Sequence, residues 1–233
     1  GLVLPIERAV HFPAARHVVD PQGLVRRLHT RFVEMGGESV RARAERVEER
    51  DGGVTVYAGD DIRAGRVVIA SGAFSRRVAG AGAEDVPLGT ERGYHLMYAG
   101  EAGRVTRPVG WAEGGFYATP MAAGLRLAGT VEIASLDKPA NRGRLAYLAR
   151  KGREMLGDLP EPTSEWLGYR PTLPDSLPVI GVAPGKERVI HAFGHQHLGL
   201  TLGGITGRIV ADLAEGRAPN ADISAYAPGR RYS

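Results

Sequence analysis

Val189-Ile190-His191-Ala192-Phe193-Gly194-His195-Gln196-His197-Leu198-Gly199-Leu200-Thr201-Leu202-Gly203-Gly204-Ile205-Thr206-Gly207 is the stretch that decides how this chain folds. Its first five residues form a short apolar run bounded by glycine, which reads as a buried strand. Residues 194–204 read as a glycine-rich turn. Ile205, Ile209, Val210 and Leu213 then recur at helical spacing and mark a final helix that Gly216 stops. The free amides and dipole at such a helix start make a positively polarised site. Glycines there let backbone approach a flat ring. On the residues alone, a glycine-rich strand-to-helix turn with no ligand fits the same pattern.

Working outward, Val67-Val68-Ile69-Ala70 is a second short buried strand that runs into Ser71-Gly72-Ala73. Before it, Asp20 caps a helix whose first position suits Pro21. Leu24, Val25, Leu28, Phe32 and Val33 share one face of that helix, and Gly36-Gly37 ends it. Residues 39–42, 45–49, 54–58 and 62–64 are strand-like, with Asp51-Gly52-Gly53 and Gly59-Asp60-Asp61 as turns, and read as an antiparallel meander. Residues 94–98, 116–121 and 125–133 predict a second antiparallel layer. Residues 141–156 predict a helix with Leu145, Leu148 and Ala149 on one face. The tail from Arg217 is expected to be loose.

Composition narrows the function. The 233 residues contain no cysteine, which removes disulfides, cysteine-ligated metals, a thiol nucleophile and a cysteinyl-linked flavin. The net charge is +4, but basic pairs such as Arg26-Arg27 and Arg76-Arg77 are isolated and interleaved with acids. No nucleic-acid partner is expected. Attraction to an anionic membrane surface stays open. No apolar run approaches the length of a membrane helix, and no signal peptide is expected. His195 and His197 lack an evident third ligand, so no metal is expected.

Two further stretches carry chemistry. Val67 to Ser75 resembles a V-V-x-A-x-G-x-W-S pattern, and small residues at Ala70, Gly72 and Ala73 suit close backbone approach. Trp166-Leu167-Gly168-Tyr169-Arg170-Pro171-Thr172-Leu173-Pro174-Asp175-Ser176-Leu177-Pro178-Val179-Ile180-Gly181 resembles a G-x-R-P-x-x-x-D-x-x-P-x-I-G run. A planar guanidinium pairs bidentately with a carboxylate and keeps its charge when desolvated. For an arbitrary arginine the alternative is a surface salt bridge. Tyr94, His95, Tyr117 and Tyr169 read either as pocket-lining or as core aromatics.

Together with the opening stretch, these motifs resemble the FAD-dependent D-amino-acid oxidase and dehydrogenase family along nearly the whole chain. The resemblance implies an α/β (α+β) fold in which a split FAD-binding domain receives an inserted antiparallel-sheet substrate domain. Residues 1–85 would form part of the FAD-binding domain, residues 86–168 the substrate-binding antiparallel domain, and residues 169–233 the rest of the FAD-binding domain and a tail. Ala70, Ser71, Gly72, Gly194, His195, Gln196, His197, Leu198, Gly199, Leu200 and Thr201 would lie at the FAD. Arg170 would meet the substrate carboxylate, with Tyr94 and Tyr169 beside the reacting centre. Gly129-Thr130-Val131-Glu132 matches another family pattern, with Glu132 read as structural.

The implied activity is oxidation of a small D-amino acid by hydride transfer from Cα to flavin N5, giving an imino acid that hydrolyses. A glycine, sarcosine or hydroxyproline oxidase of the same superfamily is the alternative. A non-catalytic subunit or remnant that binds no flavin alone is the reading from another class. The family's N-terminal strand, G-x-G-x-x-G turn and helix are not found here, since Gly80-Ala81-Gly82-Ala83-Glu84-Asp85 lacks the third glycine. The expectation is therefore a fragment, inactive alone, whose partner is the N-terminal half or another chain. A cytoplasmic location is expected, with a peripheral place at the inner face of the membrane as the alternative.

Overall fold

The computed structural model describes residues 1–50 and 52–232. Asp51, in one expected turn, and Ser233, at the end of the expected tail, lie outside the described residues. In chain order the elements are α1 (Pro21–Glu34), β1 (Arg46–Arg50), β2 (Gly53–Ala58), β3 (Asp60–Ala64), β4 (Val67–Ile69), β5 (Gly89–Tyr98), β6 (Val109–Trp111), β7 (Phe116–Met121), β8 (Gly124–Ile133), α2 (Arg142–Leu156), β9 (Ser164–Thr172), β10 (Val179–Val182), β11 (Val189–Phe193) and α3 (Gly199–Ala214). The result is an α/β fold with antiparallel sheets, and the chain folds as two units.

The first unit holds residues 1–40, 93–132 and 139–168. Its strands belong to a five-stranded sheet in the order β6-β7-β8-β5-β9. β7 runs antiparallel to both β6 and β8, with Ala118 opposite Leu127 and Thr119 opposite Arg126. The period of two sends Tyr94, Leu96, Tyr98, Phe116, Ala118, Leu125 and Leu127 into one apolar core. Leu145, Leu148, Met155 and Leu156 of α2 pack into that same core. Each such side chain contributes about 1.5–3 kcal/mol of burial. Asn141 starts α2 by accepting from the amide of Gly143 at 3.0 Å.

The second unit holds residues 41–92, 133–138 and 169–232. β1, β2 and β3 form the expected meander, both pairs antiparallel. A mixed sheet runs β10-β11-β4, with β10 antiparallel and β4 parallel to β11. Val47, Val54, Ile69, Val78, Val179, Val189 and Phe193 form its core. His191 is fully buried in the middle of β11, and its Nε2 donates to the Ala81 carbonyl at 2.8 Å. Among the described residues no strand pairs with the second edge of β4.

Two expectations are corrected, at residues 39–42 and at the glycine-rich turn. Residues 39–42 form no strand, and Val40 is 64% exposed. The apolar face of α1 lies open: Val25 is 59% and Leu28 63% exposed, and no residue of the helix is buried. The Asp20 cap on the amide of Gly23 and the Pro21 start are present as read, so local signals set the helix without covering its face. The glycine-rich turn is also shorter than residues 194–204, because α3 starts at Gly199 and takes Gly203 and Gly204 into its second turn.

Candidate functional site

The site is built at the carboxyl ends of two parallel neighbours. Ile69 of β4 pairs with His191 of β11, so the chain leaves both strands on the same side of the sheet, at Ala70 and Gly194. Crevices outside the carboxyl ends of parallel strands are where α/β sheets take ligands. Ala70 and Ser71 are exposed there. Gly72 has φ +56°, and open space lies where a Cβ would point.

The second loop is held from below. Gly194 has φ +88°, and a Cβ on it would fall 2.4 Å from Leu173 Cδ1, so the turn rests on that buried leucine. Gln196 adopts φ +48°, and its amide donates to the carbonyl of Pro171 at 3.1 Å. This bond ties the turn to the residue after Arg170. The Leu198 amide closes the turn on the carbonyl of His195 at 2.8 Å.

The Leu198 N-cap of α3 makes no side-chain bond to the amides of the first turn, which among the described residues meet no capping side chain. Leu198, Gly199, Leu200 and Thr201 are all exposed at that start. His195 Nε2 lies 3.0 Å from Thr206 Oγ1. Burial pushes the His195 pKa down, so the ring is neutral at pH 7. His197 Nε2 bonds Glu91 Oε2 at 3.1 Å.

Arg170 is the chemically loaded group. Its side chain is half-buried and makes no hydrogen bond or ion pair among the described residues, while its Nη1 is closed off from solvent without a partner. Burial lowers its pKa, and the charge of Glu91 opposes that shift. Gln196 Nε2 is a second enclosed donor without a partner. Leaving such groups unmatched costs free energy, which is recovered when an acceptor arrives. Tyr169 meets Phe74 edge-on at 5.9 Å between ring centroids, and the Arg92 guanidinium lies 6.0 Å from its ring centre.

Asp175, from the same run, does other work. It accepts from Arg230 at 2.8 Å and from the Leu177 amide at 3.1 Å. Burial raises its pKa, but these bonds outweigh burial and leave it below the usual range.

Arg170, Tyr169, residues 70–72 and residues 194–201 therefore share the second unit, whereas Tyr94 belongs to the first. The Tyr94 hydroxyl donates to Glu132 Oε2 at 2.6 Å and accepts from the Asn141 amide at 3.0 Å, inside the apolar core. It fixes Glu132 to the start of α2. Sequence reasoning missed Glu91 and Thr206, the partners of His197 and His195, and missed Leu173 as the floor of the turn. Glu91 lies outside the loop motif and Thr206 inside the quoted stretch, and neither carries a local signal of its partner. Among the described residues no group of three or more His, Asp or Glu side chains is placed to hold a metal ion. No described helix is long and apolar enough to cross a membrane.

A family model described as FAD dependent oxidoreductase (DAO) matches residues 2–213. The D-amino-acid oxidase of Bradyrhizobium diazoefficiens is 33% identical over 218 residues, covering 91% of this chain and 52% of that protein. The glycine oxidase of Pseudomonas aeruginosa is 31% identical over 239 residues, covering 99% and 65%. The crystal structure of glycine oxidase from Geobacillus kaustophilus superposes with TM-score 0.72 at 26% identity, over 82% of this chain and 53% of that one. The chain thus spans about half to two thirds of the length of the curated relatives it matches.

Proposed function

We propose, because the chain belongs to the DAO family of FAD dependent oxidoreductases, that it forms the flavin-ring and substrate side of an enzyme that oxidises a small amino acid, with D-amino acids as the substrate class. The observation that carries this reading is Arg170: a half-buried guanidinium with an enclosed, unpartnered Nη1, tied through Pro171 to the 194–198 turn. A small carboxylate is the ligand that such a fork matches.

The residues present fit FAD. The uncapped start of α3, the unpartnered Gln196 Nε2 and the open space at Gly72, Gly203 and Gly204 leave room and hydrogen-bond donors for a flat, partly anionic ring system. When bound, FAD supplies a two-electron hydride acceptor at N5. The chain's own residues do the rest. Arg170 fixes the substrate by its carboxylate, Tyr169 and Phe74 give one wall an aromatic surface, and the α3 dipole favours negative charge beside the first turn. Neutral His195 adds a hydrogen-bonding ring without adding a charge. With the substrate amine neutral, orientation does much of the work and no protein base is needed.

In this reading residues 1–85 and 169–233 belong to a split FAD-binding domain, and residues 86–168 to an inserted substrate domain. The pyrophosphate-binding strand–turn–helix comes from polypeptide outside these 233 residues. The enzyme acts in the cytoplasm, with peripheral attachment to the inner face of the membrane as the alternative; cell fractionation separates the two.

The test of function is anaerobic mixing of the flavin-loaded holoenzyme, these 233 residues together with the polypeptide that supplies the pyrophosphate-binding unit, with D-alanine, glycine and sarcosine. The reading expects D-alanine to bleach the yellow flavin band fastest. Fastest bleaching by glycine or sarcosine assigns the activity of the glycine oxidase relatives instead, and no bleaching by any of the three defeats the proposal.

A further inference from the structure

Beyond α3 the chain is held rather than loose, and residues 224–232 come back over β10. A Cβ on Gly181 of β10 would fall 2.8 Å from Pro228 Cδ, so that glycine makes room for the proline. Tyr232 packs against the core of the second unit and carries the Arg230 guanidinium 4.6 Å over its ring. Arg230 reaches inward from this segment. Its Nε donates to Asp175 Oδ2 at 2.8 Å, and its Nη2 donates to Asp175 Oδ1 at 3.2 Å. The same Nη2 donates to the Leu177 carbonyl at 2.8 Å, and Nη1 donates to the Ala227 carbonyl at 3.3 Å. The two side chains are 11% and 10% exposed, so this fork-on-carboxylate pair is nearly desolvated.

The pair closes on a strained turn. Ser176 has φ +61°, left-handed backbone that a residue with a Cβ keeps only where its surroundings hold it. Its amide donates to the Leu173 carbonyl at 3.0 Å. The turn joins β9, which carries Arg170, to β10. It is also the support of the Gly194 turn: a Cβ on Gly194 would lie 2.4 Å from Leu173 Cδ1, at its start, and 3.5 Å from Pro178 Cα, at its end. The bond from the Gln196 amide to the Pro171 carbonyl then returns the coupling to β9 beside Arg170. An ion pair facing solvent would constrain little. Arg230 and Asp175 instead fix the backbone on which the site loop rests.

We propose, resting on the reading of Arg170 and the 194–198 turn as the carboxylate and flavin-ring site, that Arg230 is a positioning residue for both. By clamping Asp175 and the Leu177 carbonyl it holds the 173–178 turn, and through that turn it sets the 194–198 loop and the end of β9. Arg230 takes no ligand itself. Its effect is geometric, and displacing a binding group by about 1 Å is enough to cost on the order of a hundredfold in a reaction that depends on orientation. Residues 224–232, which lie outside every motif of the site, thereby become part of its support.

Two readouts test this. In 15N NMR of the 233-residue chain, Arg230→Gln should shift the amide signals of Gly194, Gln196 and Leu198 and leave that of Gly59, in the β2–β3 turn, in place. Asp175→Asn should move the same signals, and the double variant should add little to either single change. In the flavin-loaded holoenzyme, the flavin absorbance is followed while acetate, a carboxylate with no amine, is added. Arg230→Gln should weaken acetate by about tenfold or more. Arg230→Lys keeps the charge, loses the fork and should recover part of that loss. Val54→Ala, a core change in β2, should lower Tm and leave acetate affinity unchanged, which separates positioning from loss of stability.

Unmoved 194–198 signals overturn the proposal, and Arg230→Lys supplies that comparison should the glutamine variant not fold. Acetate bound equally well by wild type and Arg230→Gln, while Arg170→Ala no longer binds it, also overturns it. So does a loss of acetate affinity just as large in Val54→Ala. Acetate bound equally by wild type and Arg170→Ala removes the carboxylate reading of Arg170 instead, and the NMR comparison still decides the clamp.

Discussion

Replacing Gly194 by alanine drives a methyl group into the floor of the site. At φ +88° the backbone is left-handed, a conformation that costs a residue with a Cβ about 1–2 kcal/mol. The new Cβ would also lie 2.4 Å from Leu173 Cδ1, and 3.5 Å from Pro178 Cα and Val179 N. Leu173 is 1% exposed and cannot swing into solvent. Overpacking of this kind typically costs about 1–3 kcal/mol. Together the terms come to about 2–5 kcal/mol, which lowers Tm by on the order of 10 °C in a domain of this size.

The assay is thermal unfolding followed by circular dichroism, with Leu173→Ala as the second arm. Leu173→Ala alone should cost about 2–5 kcal/mol through the cavity it leaves. Because it also removes the atom that the new methyl group strikes, the double variant should lose less than the sum of the singles by about 1–3 kcal/mol. A Gly194→Ala protein melting within about 2 °C of wild type, or strict additivity in the double variant, would refute the idea that Leu173 and the Gly194 conformation together set this turn.

Other outcomes follow from the same structure. The 233-residue chain alone should bind FAD weakly, because it supplies the ring-side donors and no G-x-G-x-x-G unit for the pyrophosphate; a stoichiometric yellow protein that survives dialysis would contradict this. His95 should titrate at about 4 by NMR, held down by burial and then by Arg126. Its folded pKa lies below the unfolded value of 6.5, so the unfolded chain binds more protons between these values. Stability from His95 is full above 6.5 and drains away as pH falls towards 4, and His95→Gln should remove that part of the acid sensitivity. On α1, Leu28→Gln with Val25→Gln should change stability by less than about 0.5 kcal/mol each, since both side chains are exposed. The same pair should reduce self-association in sedimentation, and a wild-type monomer at high concentration would argue against a sticky α1 face.

Much of the fold was legible because its signals are local. The run 189–193 bounded by Gly194 reads as a strand whatever surrounds it, and Asp20-Pro21 starts a helix by its own chemistry. The parallel neighbour of β11 is foreshadowed by the apolar run 67–69, although only the structure pairs Ile69 with His191. β9 escaped because Gly168 and Pro171 punctuate it, and β10 because it is only Val179–Val182 with Gly181 inside it; Pro171 is tolerated in β9, where its carbonyl accepts from Gln196. The face of α1 was visible in the spacing, but whether anything covers it is a tertiary fact. At the site, the loop residues and Arg170 were readable from motifs. Glu91, 106 residues from His197, and Thr206, eleven residues from His195 and inside α3, were not. Pairing of this kind leaves no trace in spacing or composition.

The most direct test of the account is the substrate dependence of an Arg170 substitution, measured in the flavin-loaded enzyme on D-alanine and on its decarboxylated analogue, ethylamine. Removing one partner of a desolvated charged pair costs a few kcal/mol, so Arg170→Ala should lower kcat/KM for D-alanine on the order of a hundredfold or more. Arg170→Lys keeps the charge but loses the fork and should fall between wild type and alanine. Ethylamine turnover and flavin content should barely change in either variant. Equal losses on the two substrates, or loss of flavin along with the arginine, would contradict the assignment of Arg170 as the carboxylate anchor.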